Sequence, residues 1–384
     1  MIARRGRAPP EMRFGRTLRS DTPRRLFWSG FHETMIQLEN LNVAAITPLV
    51  TPGALKADIT MTQTAADTVA GGRQAVLDIL QRKDPRLLVV AGPCSIHDAD
   101  AAFDYAERLK ALSEELKDRI FIIMRTYFEK PRTTVGWKGL ISDPFLDGSH
   151  DVSAGLRKAR EILLRIAEIG LPTGTELLDP IVPQYIADLI SWASIGARTS
   201  ESQKHREMAS GLSMPIGFKN STDGNLQVAV DAMLSARQPH HFLGIDEDGH
   251  TGVVATRGNH AVHIILRGGR GRPNYDPVSV FETEECMRRA GMTPLIMVDC
   301  SHANCGKRHM LQCHVLRDVI AQRLEGTQSI IGVMLESNIK AGNQKLLDDP
   351  AKLEYGLSIT DPCLDWDSTA ALLRETYGRL AKLF

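Results

Sequence analysis

Two sets of side chains in this sequence have the chemistry of a working site. The first is cationic: Arg125, Lys130, Arg132, Lys138, Arg198, Lys219 and Arg267. Arginine forks match carboxylate and phosphate oxygens, and backbone amides in turns such as Ala197-Arg198-Thr199-Ser200 at a helix start add dipole support. Gathered at one place, such groups select a polyanion. The second set is a thiol, an imidazole and two carboxylates, Cys94, His302, Glu336 and Asp361, which together have the character of ligands for a divalent first-row ion. A rival cluster, Cys300, His302, Cys305, His309, Cys313 and His314, crowds within fifteen positions, but it lacks the paired C-x2-C spacing of a zinc module. The sequence has no G-x4-G-K-[ST] loop, and Gly268-Gly269-Arg270-Gly271 lacks the third glycine of a dinucleotide turn. A phosphate site here therefore points to small phosphorylated metabolites.

Residues so far apart in sequence need a scaffold to bring them together. Eight apolar runs supply one: 87–94, 120–126, 171–178, 193–198, 214–219, 262–267, 295–301 and 330–336. Amphipathic segments lie between them. In 101–117, Phe103, Ala106, Leu109, Leu112 and Leu116 share a face; in 153–168, Leu156, Ala159, Leu163 and Ile166 do. Eight strands alternating with helices predict an α/β fold, a parallel (β/α)8 TIM barrel. The C-terminal ends of the runs read Cys94, Arg125, Glu176, Arg198, Lys219, Arg267, His302 and Glu336. A barrel collects those ends at the face where barrel enzymes place their chemistry. Residues 240–257 break the unit and read as a β-hairpin inserted before the sixth barrel strand.

Composition bounds the remaining classes. The chain has 384 residues, 46 basic and 46 acidic, and is 43% hydrophobic, a length that suits one large barrel. Zero net charge argues against a nucleic-acid-binding protein. The longest apolar stretches are strand-sized, well short of the ~20 residues of a bilayer span, so no membrane association is expected. Six unevenly spaced cysteines without an ordinary secretory signal indicate reduced thiols and a cytoplasmic protein. The charge is uneven, however: residues 1–34 hold eight arginines, no lysine and three acids, a charge of +5, which leaves −5 for the rest. That segment reads as a disordered Arg-rich tail, or as translated sequence upstream of a start at Met35. A transit peptide or a basic arm for an anionic partner are the functional alternatives. Residues 35–85 read as an N-terminal extension, helical over 60–80, serving oligomerisation or regulation. Residues 86–384 form the catalytic barrel.

Several ordered motifs then resemble one family. They are Gly92-Pro93-Cys94-Ser95-Ile96-His97-Asp98, the long run from Met124-Arg125-Thr126-Tyr127 through Lys130-Pro131-Arg132-Thr133 to Gly139, Gly196-Ala197-Arg198-Thr199, Gly217-Phe218-Lys219-Asn220, Ile265-Leu266-Arg267-Gly268-Gly269, Ser301-His302-Ala303-Asn304 and Ser358-Ile359-Thr360-Asp361. All resemble the type I, microbial 3-deoxy-D-arabino-heptulosonate 7-phosphate (DAHP) synthases, from about residue 45 to the C-terminus.

The resemblance implies a metal-dependent condensation of phosphoenolpyruvate with erythrose 4-phosphate, the first step of the shikimate route to aromatic amino acids. It implies Cys94, His302, Glu336 and Asp361 as ligands of Mn2+, Fe2+, Co2+ or Zn2+. Arg125, Arg198, Lys219 and Arg267 would grip phosphoenolpyruvate, and Lys130, Arg132 and Thr133 would hold erythrose 4-phosphate. Lys130 is the candidate proton donor, Glu176 with Lys219 would position a water, and His302 also belongs to the catalytic set. The hairpin and the extension resemble the parts that build an inhibitor cavity and an oligomer interface. An aromatic amino acid inhibitor, tyrosine ahead of phenylalanine, and a homodimer or homotetramer are therefore expected. The tyrosine preference rests on Gly211-Leu212-Ser213-Met214-Pro215 and Met297-Val298-Asp299-Cys300. Two other readings stand beside this one: a related synthase of the 3-deoxy-octulosonate type, and a nucleic-acid-binding protein using the Arg-rich tail.

Overall fold

The apolar runs are rich in Val, Ile, Leu and Met and short enough to be buried on both faces, as the strands of a parallel sheet must be. In the computed structural model, which describes residues 38–132, 136–347 and 349–384, they alternate with helices. The order is α1 (Pro52–Asp58), α2 (Gln63–Leu80), β1 (Leu87–Gly92), α3 (Ala99–Leu116), β2 (Ile120–Arg125), α4 (Val152–Glu168), β3 (Thr173–Glu176), α5 (Pro183–Ile186), β4 (Trp192–Ile195), α6 (Gln203–Gly211) and β5 (Ile216–Lys219). There follow α7 (Gln227–Ala236), β6 (His241–Ile245), β7 (Thr251–Ala255), β8 (Val262–Leu266), α8 (Pro277–Arg289), β9 (Ile296–Asp299), α9 (Gln312–Leu324), β10 (Ile330–Glu336) and α10 (Trp366–Leu380).

Eight of the strands close a parallel barrel in the order β1-β10-β9-β8-β5-β4-β3-β2, as the eight runs predict. The first and last strands are neighbours, with Gly92 opposite Glu336. β6 and β7 form the separate antiparallel hairpin, His241 pairing with Ala255 and Ile245 with Thr251, ahead of the sixth barrel strand.

Several strands are shorter than their runs. β3, β4, β5 and β9 hold four residues each; β4 and β9 stop short of the polar ends of their runs, whereas β3 and β5 end on theirs, Glu176 and Lys219. Cys94, Arg198, Arg267 and His302 consequently lie on the loops that follow β1, β4, β8 and β9, not on the strands themselves.

The helices begin at side chains that accept their orphan N–H groups. Asp98 caps α3, Asp151 caps α4, Asp276 caps α8 and Asp365 caps α10. On α4 the expected face, Leu156, Ala159, Leu163 and Ile166, is buried. So is Arg160, whose guanidinium pairs with Asp188 at 2.7 Å and donates to the Ile59 carbonyl at 3.0 Å. On α3, Phe103 is only half-buried and lies under the Arg165 guanidinium.

Helices α1 and α2 share the compact unit Leu49–Phe384 with the barrel. Arg73 of α2 donates to the Ile190 and Ala187 carbonyls, and Lys56 of α1 pairs with Glu247 in the hairpin turn at 2.7 Å. Residues 38–48 belong to a second unit with neither helix nor strand, held locally by the Val43 N–H donating to the Asn40 carbonyl. The Arg-rich segment 1–34 lies outside the described residues. Among the described residues no helix is long and apolar enough to cross a membrane.

Candidate active site

The C-terminal ends of the barrel strands surround a cavity of ≈ 210 Å³. Arg125 from the end of β2, Glu176 from β3 and Lys219 from β5 point into it, with Arg198, Arg267 and His302 from the loops after β4, β8 and β9. Lys130 and Arg132 come from the long loop after β2. Two glycines make the close approaches this needs. A Cβ on Gly196 would meet Glu176 Oε1 at 2.6 Å, and Gly139, at φ 115°, lies against the Phe128–Glu129 backbone where a side chain would collide. That turn lets the Lys130 N–H donate to the Lys138 carbonyl at 2.8 Å, which fixes the start of the loop.

The charges in the cavity are paired in a way that keeps each ionised. Burial alone would push the Glu176 carboxyl up, but Lys219 Nζ, donating to Oε2 at 2.8 Å, holds it down at about 2. Burial would likewise lower the Lys219 ammonium; Glu176 and, at 3.8 Å, Asp299 hold it above its ordinary value. Arg125 is 1% exposed. Its Nε donates to the Pro93 carbonyl, and its Nη2 to the Cys94 carbonyl and to Glu336 Oε1 at 3.0 Å. Its buried Nη1 has no hydrogen-bond partner among the described residues. A buried guanidinium with one donor left over is suited to an anionic ligand.

The donor set for a cation is equally well defined. Cys94 Sγ and carboxylate oxygens of Glu336 and Asp361 all lie within 4.8 Å of one another. His302 Nε2 stands 3.9 Å from Glu336 Oε1. On its other side, His302 Nδ1 is 2.9 Å from the fully buried Asp299 carboxylate and 2.8 Å from Ser301 Oγ. With the ring proton on Nδ1, facing Asp299 and Ser301, the Nε2 lone pair faces the carboxylates, the usual support for a metal-binding imidazole. Sulfur, nitrogen and two oxygens in this arrangement fit a divalent ion. Burial and the Glu336 charge raise the Cys94 thiol, and Lys130 Nζ, 3.0 Å from the sulfur, offsets part of that rise. Cys363 is buried too, and its thiol is pushed well up, by burial first and then by the Cys94 charge.

A cation-lined cavity beside a Cys, His, Glu, Asp donor set at a barrel mouth can be matched against known proteins. The family model described as DAHP synthetase I family matches residues 57–374. The chain belongs to the DAHP synthetase I family. The Tyr-sensitive phospho-2-dehydro-3-deoxyheptonate aldolase of Escherichia coli K12 is 52% identical to it over 343 residues, 89% of this chain and 96% of the relative. The Phe-sensitive enzyme of the same strain is 53% identical over 339 residues, 88% of this chain and 96% of the relative. The solved phospho-2-dehydro-3-deoxyheptonate aldolase of Francisella tularensis superposes with a TM-score of 0.87 at 46% identity, over 89% of this chain and 99% of that one.

The sequence placed most of this family member's cavity, with three kinds of discrepancy. Lys138 is exposed and does not line the cavity; the loop folds back so that its carbonyl, not its ammonium, meets Lys130. Thr133 lies outside the described residues. Lys307, Tyr127 and Asp299 were not foreseen. Lys307 lines the cavity from the loop after β9, where φ 57° turns the chain inward. Asp299 is the last residue of β9, and an acid closing an apolar strand is the sequence signal that would have found it. Tyr127 looks in sequence like an ordinary core aromatic.

Glu129 is a further buried acid, 9% exposed. Burial first, and then the Asp179 charge, push its carboxyl up to about 8. Its Oε2 accepts from the Leu178 N–H at 3.4 Å, while the Leu178 carbonyl lies 2.6 Å from His205 Nε2. The peptide groups flanking Leu178, in the cavity wall, are thus held from two sides.

Proposed function

We propose that this chain condenses phosphoenolpyruvate with D-erythrose 4-phosphate to give DAHP and phosphate, the first step of the shikimate pathway, as a 3-deoxy-7-phosphoheptulonate synthase. The observation that carries the reading is the lining of the cavity: six expected cations, Arg125, Lys130, Arg132, Arg198, Lys219 and Arg267, converge beside the donor set. The two substrates bring two phosphates and a carboxylate, and a pocket with this lining answers that charge. The names of the relatives favour erythrose 4-phosphate over the octulosonate-type alternative. The same names, all of an aldolase, favour the enzyme over the nucleic-acid-binding alternative.

In this reading Arg125, through Nη1, binds phosphoenolpyruvate with Arg198, Lys219 and Arg267, and Lys130 and Arg132, with Thr133, hold erythrose 4-phosphate. A divalent ion held by Cys94, His302, Glu336 and Asp361, one of Mn2+, Fe2+, Co2+ or Zn2+, would supply Lewis-acid polarisation of the aldehyde oxygen. As C3 of the enol attacks the aldehyde carbon, Lys130 Nζ gives its proton to the oxygen that becomes the new hydroxyl. The Cys94 and Glu336 charges outweigh burial and hold that ammonium charged beforehand. Water then adds to the oxocarbenium carbon C2 and returns one proton to the Lys130 amine; the bond from C2 to the phosphate oxygen breaks, the C2 hydroxyl becomes the ketone, and its proton leaves with the phosphate. Glu176, kept ionised by Lys219, accepts a hydrogen bond from that water and orients it.

The hairpin and α6 would house feedback inhibition by an aromatic amino acid. The end of α6 meets the hairpin closely: Ser210 Oγ is 2.6 Å from Thr256 Oγ1. Segment 211–215 starts there, with Gly211 against the Thr256 side chain, whereas Met297–Cys300 is buried in and just after β9, away from the surface an inhibitor at the hairpin would meet. The expectation of tyrosine ahead of phenylalanine then rests on the first segment alone. Exposed Leu243 and Val253 on the hairpin suit a homodimer or homotetramer.

Phosphate release from the two substrates, with and without chelator, tests the reading, followed by separate additions of tyrosine, phenylalanine and tryptophan. Metal-dependent release that tyrosine inhibits most is expected. Absence of release overturns the function, and arabinose 5-phosphate outpacing erythrose 4-phosphate overturns the substrate.

A further inference from the structure

Tyr127 lies two residues beyond β2, is 1% exposed and lines the cavity. The Arg125 guanidinium carbon sits 3.5 Å over the centre of its ring, and Lys219 Nζ lies 5.5 Å from the same centre. Its hydroxyl is tied to Ser194 Oγ of β4 at 2.8 Å, so the ring is anchored to a strand on the far side of β3.

The two cations on this ring have different carboxylate partners. Arg125 leans on Glu336, in the donor set, and Lys219 on Glu176. The ring lies between those two networks. What an aromatic face does there differs from what a carboxylate would do. A carboxylate attracts a cation by accepting its N–H groups, and each one accepted is lost to a ligand. A π face attracts the charge through its quadrupole, from above the guanidinium plane, and leaves the in-plane donors free. In Arg125 those donors are spent on Pro93, Cys94 and Glu336 except for Nη1.

We infer that Tyr127 is a positioning residue for phosphoenolpyruvate: its ring face holds Arg125 and Lys219 in register across the cavity floor while leaving their N–H groups to the substrate. The inference rests on the proposed condensation and deepens it. Erythrose 4-phosphate, assigned to Lys130, Arg132 and Thr133, should not depend on the ring.

Steady-state kinetics with each substrate varied in turn test this. Tyr127→Leu is expected to raise KM for phosphoenolpyruvate by about tenfold or more and KM for erythrose 4-phosphate by less than about twofold. Tyr127→Phe, which keeps the ring, should stay within about threefold of wild type for both. Pentafluorophenylalanine at 127 keeps nearly the same shape but reverses the ring's electrostatics. It should raise KM for phosphoenolpyruvate relative to Tyr127→Phe without lowering Tm. Where Tyr127→Leu fails to fold, the Phe and fluorinated pair decides. Equal rises in both KM values, or a fluorinated ring that behaves as Phe does, overturns the inference. A wild-type enzyme that releases no phosphate from the two substrates overturns the function instead.

Discussion

Two clusters of potential metal donors among the described residues are similarly compact and have opposite surroundings. Cys94, Glu336 and Asp361 bring their ligand atoms within 4.8 Å of one another at the barrel mouth; Asp246, Asp248 and His250 do so in the hairpin turn. The first group is buried or half-buried and ringed by Arg125, Lys130 and His302. The second is fully exposed, and its best acceptor is already used. Asp246 Oδ1 takes the backbone N–H groups of Asp248 and His250, which hold its carboxyl below the ordinary range and close the turn. Spacing alone therefore does not make a site. Exclusion of water and a supporting set of fixed charges turn proximate donors into chemistry.

The contrast is sharpest under substitution. Cys94→Ala or His302→Ala should lower metal-dependent turnover on the order of 10³-fold, read as phosphate release with metal in excess. Full activity in either variant would sink the ligand assignment. A middle-sized effect belongs to Glu129, buried beside the cavity but outside the donor set. Its carboxyl binds its proton more tightly in the folded chain than in the unfolded one. Its contribution to stability is therefore complete below the ordinary carboxylate range and is lost as pH rises through about 8. Glu129→Gln removes that slope. It should be more stable than wild type by on the order of 5 kcal/mol at about pH 9, and the two should converge near about pH 4, by denaturant unfolding across the range. Parallel curves would refute the assignment. The smallest effect is expected in the turn: Asp246→Asn with Asp248→Asn should leave turnover within about twofold of wild type. A metal-dependent loss there would erase the distinction between the clusters.

The barrel was legible because its signal is repetitive. Strand-sized apolar runs separated by amphipathic helices recur eight times, and no single misjudged boundary changes the outcome. The site was legible wherever a charged residue closes a run, as Arg125, Glu176, Lys219 and Glu336 do. It was obscure where tertiary contact reverses a residue's ordinary meaning. Lys138 reads as one more cation, yet the turn at Gly139 offers its carbonyl to the site and its side chain to solvent. Tyr127 reads as core, because nothing in its neighbours' spacing reveals that two cations meet its ring. Lys307 depends on a left-handed backbone conformation, which a lysine adopts only when the surrounding fold demands it.

The closure of the barrel has a consequence in time. β1 and β10 are adjacent, and the Asp361 N–H reaches Cys94 Sγ across 267 residues of sequence. A nascent chain exposes its thiol early and its two carboxylates last, so the donor set exists only after the final strand and the segment that follows it have docked against the first. A chain cut short before Glu336 would carry all six of the cavity's expected cations, but only Cys94 and His302 of the four donors. The donor set is thus completed late, when the seam has closed and the segment beyond it has brought Asp361 beside Cys94.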